Sequence, residues 1–269
     1  MSLLEVTNLT KSFHTGRDFL GRRITPTHAV KDVSFTLDEG ECLAVVGESG
    51  AGKSTVGRLV LRLIEPDSGS IVFDGQDLRA ARPAALRAMR KGMQMIFQDP
   101  HSCLDPRMTI ADAVAEPLVV HFDLDRKARE SRVTQTLDTV GIGRRYLNRY
   151  PAELSGGQLQ RVAIARALTL NPKIIVCDEP VAALDVAVRA QVLNLLRDLQ
   201  DELGVAYLFI GHDLALIEVI ADRVMVMKGG EVVETGQTSE LFATPQEEYT
   251  RQLLEAIPQP VPRFARGRS

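Results

Sequence analysis

The stretch Glu41–Leu63, ECLAVVGESGAGKSTVGRLVLRL, decides the fold. Leu43–Val46 is an apolar run of strand length. Gly47–Gly52 breaks it with glycines and short polar residues, and helical spacing follows from Lys53 to about Leu63. Within it, residues 47–54 read GESGAGKS and satisfy the pattern G-x-x-x-x-G-K-[ST]. A strand, a glycine loop and a helix in that order let backbone N–H groups wrap anionic oxygens with no Cβ in the way. The helix N-terminus adds positive potential at the same place. The lysine reaches β- and γ-phosphates, and the serine hydroxyl suits Mg²⁺. Gly47, Glu48, Ser49, Gly50, Ala51, Gly52, Lys53, Ser54 and Thr55 are therefore the candidate ATP-binding residues, with Ser54 also a candidate metal ligand. The flanking strand and helix weigh against a plain glycine-rich turn.

Upstream, LLEVTNL and VSFTL read as strands separated by a polar insert, His14–His28, expected to be a surface loop or hairpin. Downstream, IEPDSGSIVFDG reads as a turn and a short strand. Residues 81–92 read as helix, with Arg79, Arg82, Arg87, Arg90 and Lys91 forming a basic run expected to be a solvated face, with contact to a membrane partner as the lesser alternative. MQMIF reads as another strand. Residues 99–170 carry helix signals broken by DP, EP and YP, which predicts a helical subdomain inserted into an α/β core. The core resumes with KIIVCDE. The helix after Asp185 shows an apolar stripe at Val188, Val192, Leu195, Leu199 and Leu203. AYLFIGH is a further strand, and VMVMKGGEVVETG is a hairpin with Gly-Gly at its turn. The expected organisation is one domain over 1–258 and a loose Pro- and Arg-rich tail over 259–269.

The 269 residues are 45% hydrophobic and 25% charged, so a packed core is expected rather than disorder. A net charge of -3 gives no reason to expect nucleic acid as partner. Cys42, Cys103 and Cys177 are widely spaced, in no metal-ligand pattern, and Cys42 and Cys177 read as small core residues in a reducing compartment. No stretch approaches the ~18 apolar residues of a membrane span, so a membrane role needs a partner chain. His14, His28, His101 and His121 read as solvated or partly buried side chains.

Two further motifs complete a set. Ile174–Glu179, IIVCDE, is a buried strand that delivers Asp178 and Glu179 at its carboxyl edge, where ligands bind in open α/β sheets. Asp178 suits Mg²⁺ held through water, and Glu179 suits polarising an attacking water. Residues 154–158 read LSGGQ and run on as LQRVAIARAL, a Ser-capped helix start able to meet a phosphate.

LSGGQ, followed by a QR-containing helix and lying between a phosphate loop and a DE strand, resembles the signature of the ABC (ATP-binding cassette) family. The resemblance covers roughly Leu3 to Pro258. It implies an α/β P-loop nucleotide-binding domain with an N-terminal antiparallel β subdomain and a helical insert. It implies ATP and Mg²⁺ as ligands, and a head-to-tail dimer in which Leu154, Ser155, Gly156, Gly157 and Gln158 contact the ATP of the opposite subunit. It implies that Gln98 is the Q-loop glutamine reaching Mg²⁺ and the attacking water, that His212 is the switch histidine at the γ-phosphate, and that Glu179 is the catalytic carboxylate. Asp185 falls in the D-loop, AALD, where Ala182 replaces a usual serine. Phe13 falls where an aromatic ring stacks on adenine, with a core phenylalanine as the alternative and Phe19 as a distant second candidate.

The segment FQDPHSCLDPRMTI, together with EPVAALDVAVRAQVLNLL and YTRQLLEAIP, resembles the ATPases of oligopeptide, dipeptide and nickel importers. Asp105 stands where Asn is usual and Cys103 where Ser is usual, at the expected permease surface. No Cys-rich segment for an iron–sulfur cluster is present. The resemblance implies an ATPase at the cytoplasmic face of the inner membrane. Its implied partners are permease subunits, a second identical or different ATPase subunit and, indirectly, a solute-binding protein. Peptides are the expected solute, with nickel or other small solutes behind. Leu154 lies only 100 residues after Ser54 with no heptad run between, which disfavours a chromosome- or repair-type ATPase. A soluble ABC ATPase without a membrane partner stays open.

Overall fold

The computed structural model describes residues 2–13 and 26–256. Along the chain run β1 (Ser2–Phe13), β2 (Thr27–Asp38), β3 (Cys42–Val46), α1 (Lys53–Val60), β4 (Ser68–Phe73), β5 (Gln76–Asp77), α2 (Pro83–Met89) and β6 (Met93–Ile96). Then come α3 (Ile110–His121), α4 (Arg126–Thr139), α5 (Gly156–Leu168), β7 (Ile174–Asp178), α6 (Val186–Leu203) and β8 (Ala206–Ile210). The described chain ends with α7 (Leu214–Ile220), β9 (Arg223–Lys228), β10 (Glu231–Gln237), α8 (Thr238–Ala243) and α9 (Glu248–Glu255).

Two sheets form. One is antiparallel, in the order β2-β1-β4-β5, and the other has six strands in the order β10-β9-β3-β8-β7-β6. In the second, β9, β3, β8, β7 and β6 are parallel neighbours, and β10 adds an antiparallel edge. Every residue of β3, β7 and β8 is buried, the pattern of parallel strands covered on both faces. One face packs on the antiparallel sheet and α1, through Leu43, Val45, Val176, Leu208 and Ile210. The other packs on α3, α5 and α6, through Ala44, Cys177, Phe209, Val162 and Leu196. Burying each such aliphatic side chain contributes about 1.5–3 kcal/mol. Cys42 and Cys177 are fully buried here, and burial pushes both thiols well above their ordinary pKa.

This topology places the site. In the parallel register Val45 pairs with Ile210, Ile210 with Asp178, and Cys177 with Ile96. The carboxyl ends of β3, β6, β7 and β8 therefore lie side by side, and the segments that follow them carry Lys53, Gln98, Glu179 and His212. Between β6 and β7 the described chain holds only α3, α4, α5 and short 3-10 turns, and these three helices pack on one another.

Several local expectations change. β1 and β2 are each 12 residues long, because pairing continues to Ser12↔His28 and Phe13↔Thr27. Thr27 and His28 therefore belong to β2 and not to the expected insert, whose residues 14–25, with His14 and Phe19, lie outside the described residues, as does the tail 259–269. α1 stops at Val60, short of Leu63, because Arg62 adopts a left-handed φ of 49°. The Arg62 guanidinium then donates to the Leu78 and Ala81 carbonyls, which fixes the turn. The buried stripe of α6 is Val192, Leu193, Leu195, Leu196 and Leu199, while Leu203 is exposed at the Gly204 cap.

The basic run is a solvated face at Arg79, Arg82 and Arg87, which are exposed, while Arg90 and Lys91 are half-buried. Arg79 donates to the Gly69 carbonyl, Arg87 to Val120 at 2.9 Å and Arg90 to Arg62 at 2.8 Å. The Lys91 ammonium lies 4.7 Å from the Phe122 ring centroid. These cations stitch the antiparallel sheet, α1 and α3 to α2. Guanidiniums carry enough donors to reach carbonyls at strand edges, helix ends and turns.

Candidate functional site

β3 ends in the loop 47–52, which turns into α1 at Gly52 with φ 101°. A Cβ there would strike the Ala29 carbonyl, so both the backbone conformation and the space demand glycine. Glu48, Ser49 and Gly50 are exposed, while Ala51 and Lys53 are buried. The Lys53 ammonium, 6% exposed, donates to the Gly47 carbonyl at 2.7 Å and to Glu48 at 2.8 Å. Burial lowers its pKa, and the nearby Glu179 and Asp178 carboxylates oppose that shift. A buried cation satisfied only by carbonyl dipoles is well matched to an incoming polyanion.

The Ser54 hydroxyl donates to Asp178 Oδ1 at 2.7 Å, joining α1 to the end of β7. These are hard oxygen donors. Among the described residues no group of three or more His, Cys, Asp or Glu side chains is arranged for a metal. Such a pair fits Mg²⁺, which keeps most of its shell as water and phosphate oxygen and dispenses with an all-protein cage.

Immediately after Asp178 the chain turns left-handed at Glu179, φ 49°, and the Glu179 N–H donates to the Ile210 carbonyl at 3.0 Å. The turn carries the carboxylate out of the sheet to where two neighbours converge on a single oxygen. Gln98 Nε2 donates to Glu179 Oε2 at 3.2 Å, and His212 Nδ1 lies 3.2 Å from that same oxygen. The Glu179 side chain is 20% exposed and His212 61%, so the cluster faces solvent from a firm base. A carboxylate held by an amide and an imidazole can accept a proton from, or orient, a water beside it.

The segment 154–158 starts α5. The Ser155 hydroxyl accepts the Gln158 N–H, and the Gln158 side chain returns to the Ser155 N–H at 3.0 Å, a complete capping box. Gln158 also donates to the Tyr146 hydroxyl at 2.9 Å. Gly157 packs so closely on Val188 that a Cβ would collide with it. No hydrogen bond among the described residues ties this segment to the phosphate loop of its own chain. Asp185 caps α6 through the Val188 N–H at 3.0 Å. Phe13 closes β1 with 39% exposure and Lys11 Nζ 5.7 Å from its ring centroid, so it is not a core phenylalanine.

Two participants were not legible in the sequence. Arg189 donates to the Leu184 carbonyl at 2.7 Å and to Ala182 at 3.2 Å, and its Nη1 lies 3.8 Å from Asp213, next to His212. Tyr249 of α9 accepts the Glu48 N–H at 3.2 Å. Both contacts cross between elements distant in sequence, and no local pattern announces them. A groove of about 1010 Å³ lies elsewhere, between α4 and the starts of β7 and β8. The chemically equipped surface is thus open to solvent and not the roomiest concavity.

Residues 30–182 match the family described as ABC transporter. The glutathione import ATP-binding protein GsiA is 51% identical in Shigella boydii and in Escherichia coli, and 49% in Pectobacterium atrosepticum. Each of these alignments spans 256 residues, 95% of this chain and 41% of the relative. The chain therefore spans about two-fifths of the length of these relatives. Among solved structures, the ATP-binding cassette MJ0796, a dimer in a post-hydrolysis state with ADP and Pi, is similar with TM-score 0.77 and 30% identity. That match covers 87% of this chain and 98% of that one. CbiO1 of Clostridium perfringens, part of the ABC transporter complex cbiONQ, is similar with TM-score 0.77 and 30% identity, over 90% and 91%.

Proposed function

This chain belongs to the ABC transporter family, and from that premise we propose that it is the ATP-hydrolysing subunit of an importer for peptide-type solutes. The observation that carries the proposal is the cluster at the carboxyl edge of the sheet. A buried Lys53, the Ser54–Asp178 pair and a Glu179 carboxylate engaged by Gln98 and His212 are assembled by one register.

ATP binds with its phosphates in the loop 47–55, where Lys53 gives up loop carbonyls for β- and γ-phosphate oxygens. Ser54, Asp178 and Gln98 would hold Mg²⁺, which would supply positive charge to offset that on the phosphoryl group. Phe13 stacks on adenine. Residues 154–158 of a second cassette close over the γ-phosphate, with the capped start of α5 presenting its N–H groups. Glu179 orients the attacking water and accepts its proton, while His212 and Gln98 fix the carboxylate. Closure excludes water and completes the site, and Asp185 belongs to the segment that meets the partner. The exposure of the site and the likeness to a cassette solved as a dimer support this reading.

The named relatives import glutathione, a tripeptide, and this supports peptide-type solutes for the complex. No described helix is long and apolar enough to cross a membrane. The chain then works at the cytoplasmic face of the inner membrane, held by permease subunits. The stretch after Gln98, with Cys103 and Asp105, meets the permease, and a solute-binding protein delivers cargo from the other side.

The test is purification of the tagged chain from membranes of its own cells, with identification of what accompanies it. Multi-span permease chains and a second cassette are expected. Recovery as an ATPase free of any membrane protein would contradict the importer reading and favour a soluble ABC ATPase.

A further inference from the structure

We infer that Tyr249 is a positioning residue for ATP binding: its hydroxyl holds the phosphate loop from behind when Lys53 turns to the phosphates. The inference rests on the loop 47–55 being the ATP site.

The Glu48 peptide is gripped at both ends. Its N–H donates to the Tyr249 hydroxyl at 3.2 Å, and its carbonyl accepts from the Lys53 ammonium at 2.8 Å. Lys53 cannot keep both carbonyl bonds and also reach the β- and the γ-phosphate, since an ammonium has three donors and two already serve Gly47 and Glu48. When the phosphates claim Lys53, the Tyr249 bond is the side-chain restraint that stays on Glu48.

Tyr249 is built to stay in place. It is 8% exposed, and Lys228 Nζ lies 4.4 Å from its ring centroid. The start of α9 is pinned to the second sheet, because the Glu234 carboxylate accepts the Gln246 N–H at 2.8 Å and the Glu247 N–H at 3.2 Å. The same hairpin braces the loop further on, where the Gly230 N–H donates to the Ala51 carbonyl at 3.1 Å. The β9–β10 hairpin and α9 thus form the back wall of the phosphate loop. Of the side chains in that wall, Tyr249 is the one seen to hydrogen-bond a loop N–H among the described residues.

The test is Tyr249→Phe, which deletes only the hydroxyl and keeps the ring under Lys228. ATP affinity, read by titration of the full chain with a fluorescent ATP analogue, should weaken about fivefold, the factor expected for one ordinary hydrogen bond. The KM for ATP should rise in parallel with kcat within about twofold, and the ATP-induced rise in Tm should shrink by the matching amount. A purely structural role predicts otherwise: a lower Tm without nucleotide and an unchanged affinity. Tyr249→Leu, which also removes the ring, should lower Tm and add to the loss of affinity. Unchanged affinity in Tyr249→Phe beside a wild-type chain that binds ATP would overturn this inference and leave the ATPase reading intact. A wild-type chain that binds no nucleotide would overturn both.

Discussion

The Ser54 hydroxyl donates to the Asp178 carboxylate at 2.7 Å, so the residue that opens α1 and the one that ends β7 form a single oxygen-donor pair. The bond spans 124 residues of sequence and exists because β3 and β7 flank β8 in parallel register. Asp178→Asn keeps the shape and removes the charge. The free Mg²⁺ needed for half-maximal ATPase activity should rise about 10–100-fold, the range seen when the outer support of a metal site is lost. An unchanged Mg²⁺ titration would take Asp178 out of the metal site.

Lys53 is the buried cation of the site, and its two bonds to loop carbonyls are replaceable by phosphate. Lys53→Ala removes charge-assisted bonds to the phosphates and leaves Asp178 and Glu179 without the ammonium they couple to. Nucleotide affinity should fall about a hundredfold, as two such bonds are worth on the order of 3 kcal/mol or more. Equilibrium titration with labelled ATP decides this, and wild-type affinity would contradict it.

Arg189 forks between the Leu184 and Ala182 carbonyls and approaches Asp213, the neighbour of His212. It thereby ties the segment that contains Asp185 to the one that contains His212. Arg189→Ala should lower kcat about tenfold through misplacement of His212 and its neighbours, while the KM for ATP moves less than about twofold. Arg189→Lys should restore little, because an ammonium cannot reproduce the fork. Steady-state kinetics on folded variants give the split, and a rise in KM at constant kcat would refute the positioning role.

What the sequence announces and what it hides divide along physical lines. Leu43–Val46, Ile174–Asp178 and Ala206–Ile210 are legible because fully buried parallel strands are written as unbroken apolar runs. Loop 47–54 is legible because its chemistry needs specific residues at fixed local spacing. The convergence of Gln98 and His212 on one oxygen of Glu179 is different. It depends on the lateral order of β6, β7 and β8, and on a left-handed turn at a residue that is not glycine. Order along the chain and family resemblance point to those residues, but the shared oxygen has no local signal. Arg90 misleads for a related reason, since a basic residue looks the same in sequence whether it faces water or, as here, a distant carbonyl.

Glu179 carries the central claim, and Glu179→Gln tests it most directly. The amide keeps the size of the side chain and a hydrogen-bonding oxygen but cannot take a proton. The variant should bind ATP as the wild type does, while its turnover falls about 10²–10⁴-fold, the contribution of a positioned base. Near-normal hydrolysis by Glu179→Gln, measured as phosphate release at saturating Mg²⁺ and ATP, would contradict the account.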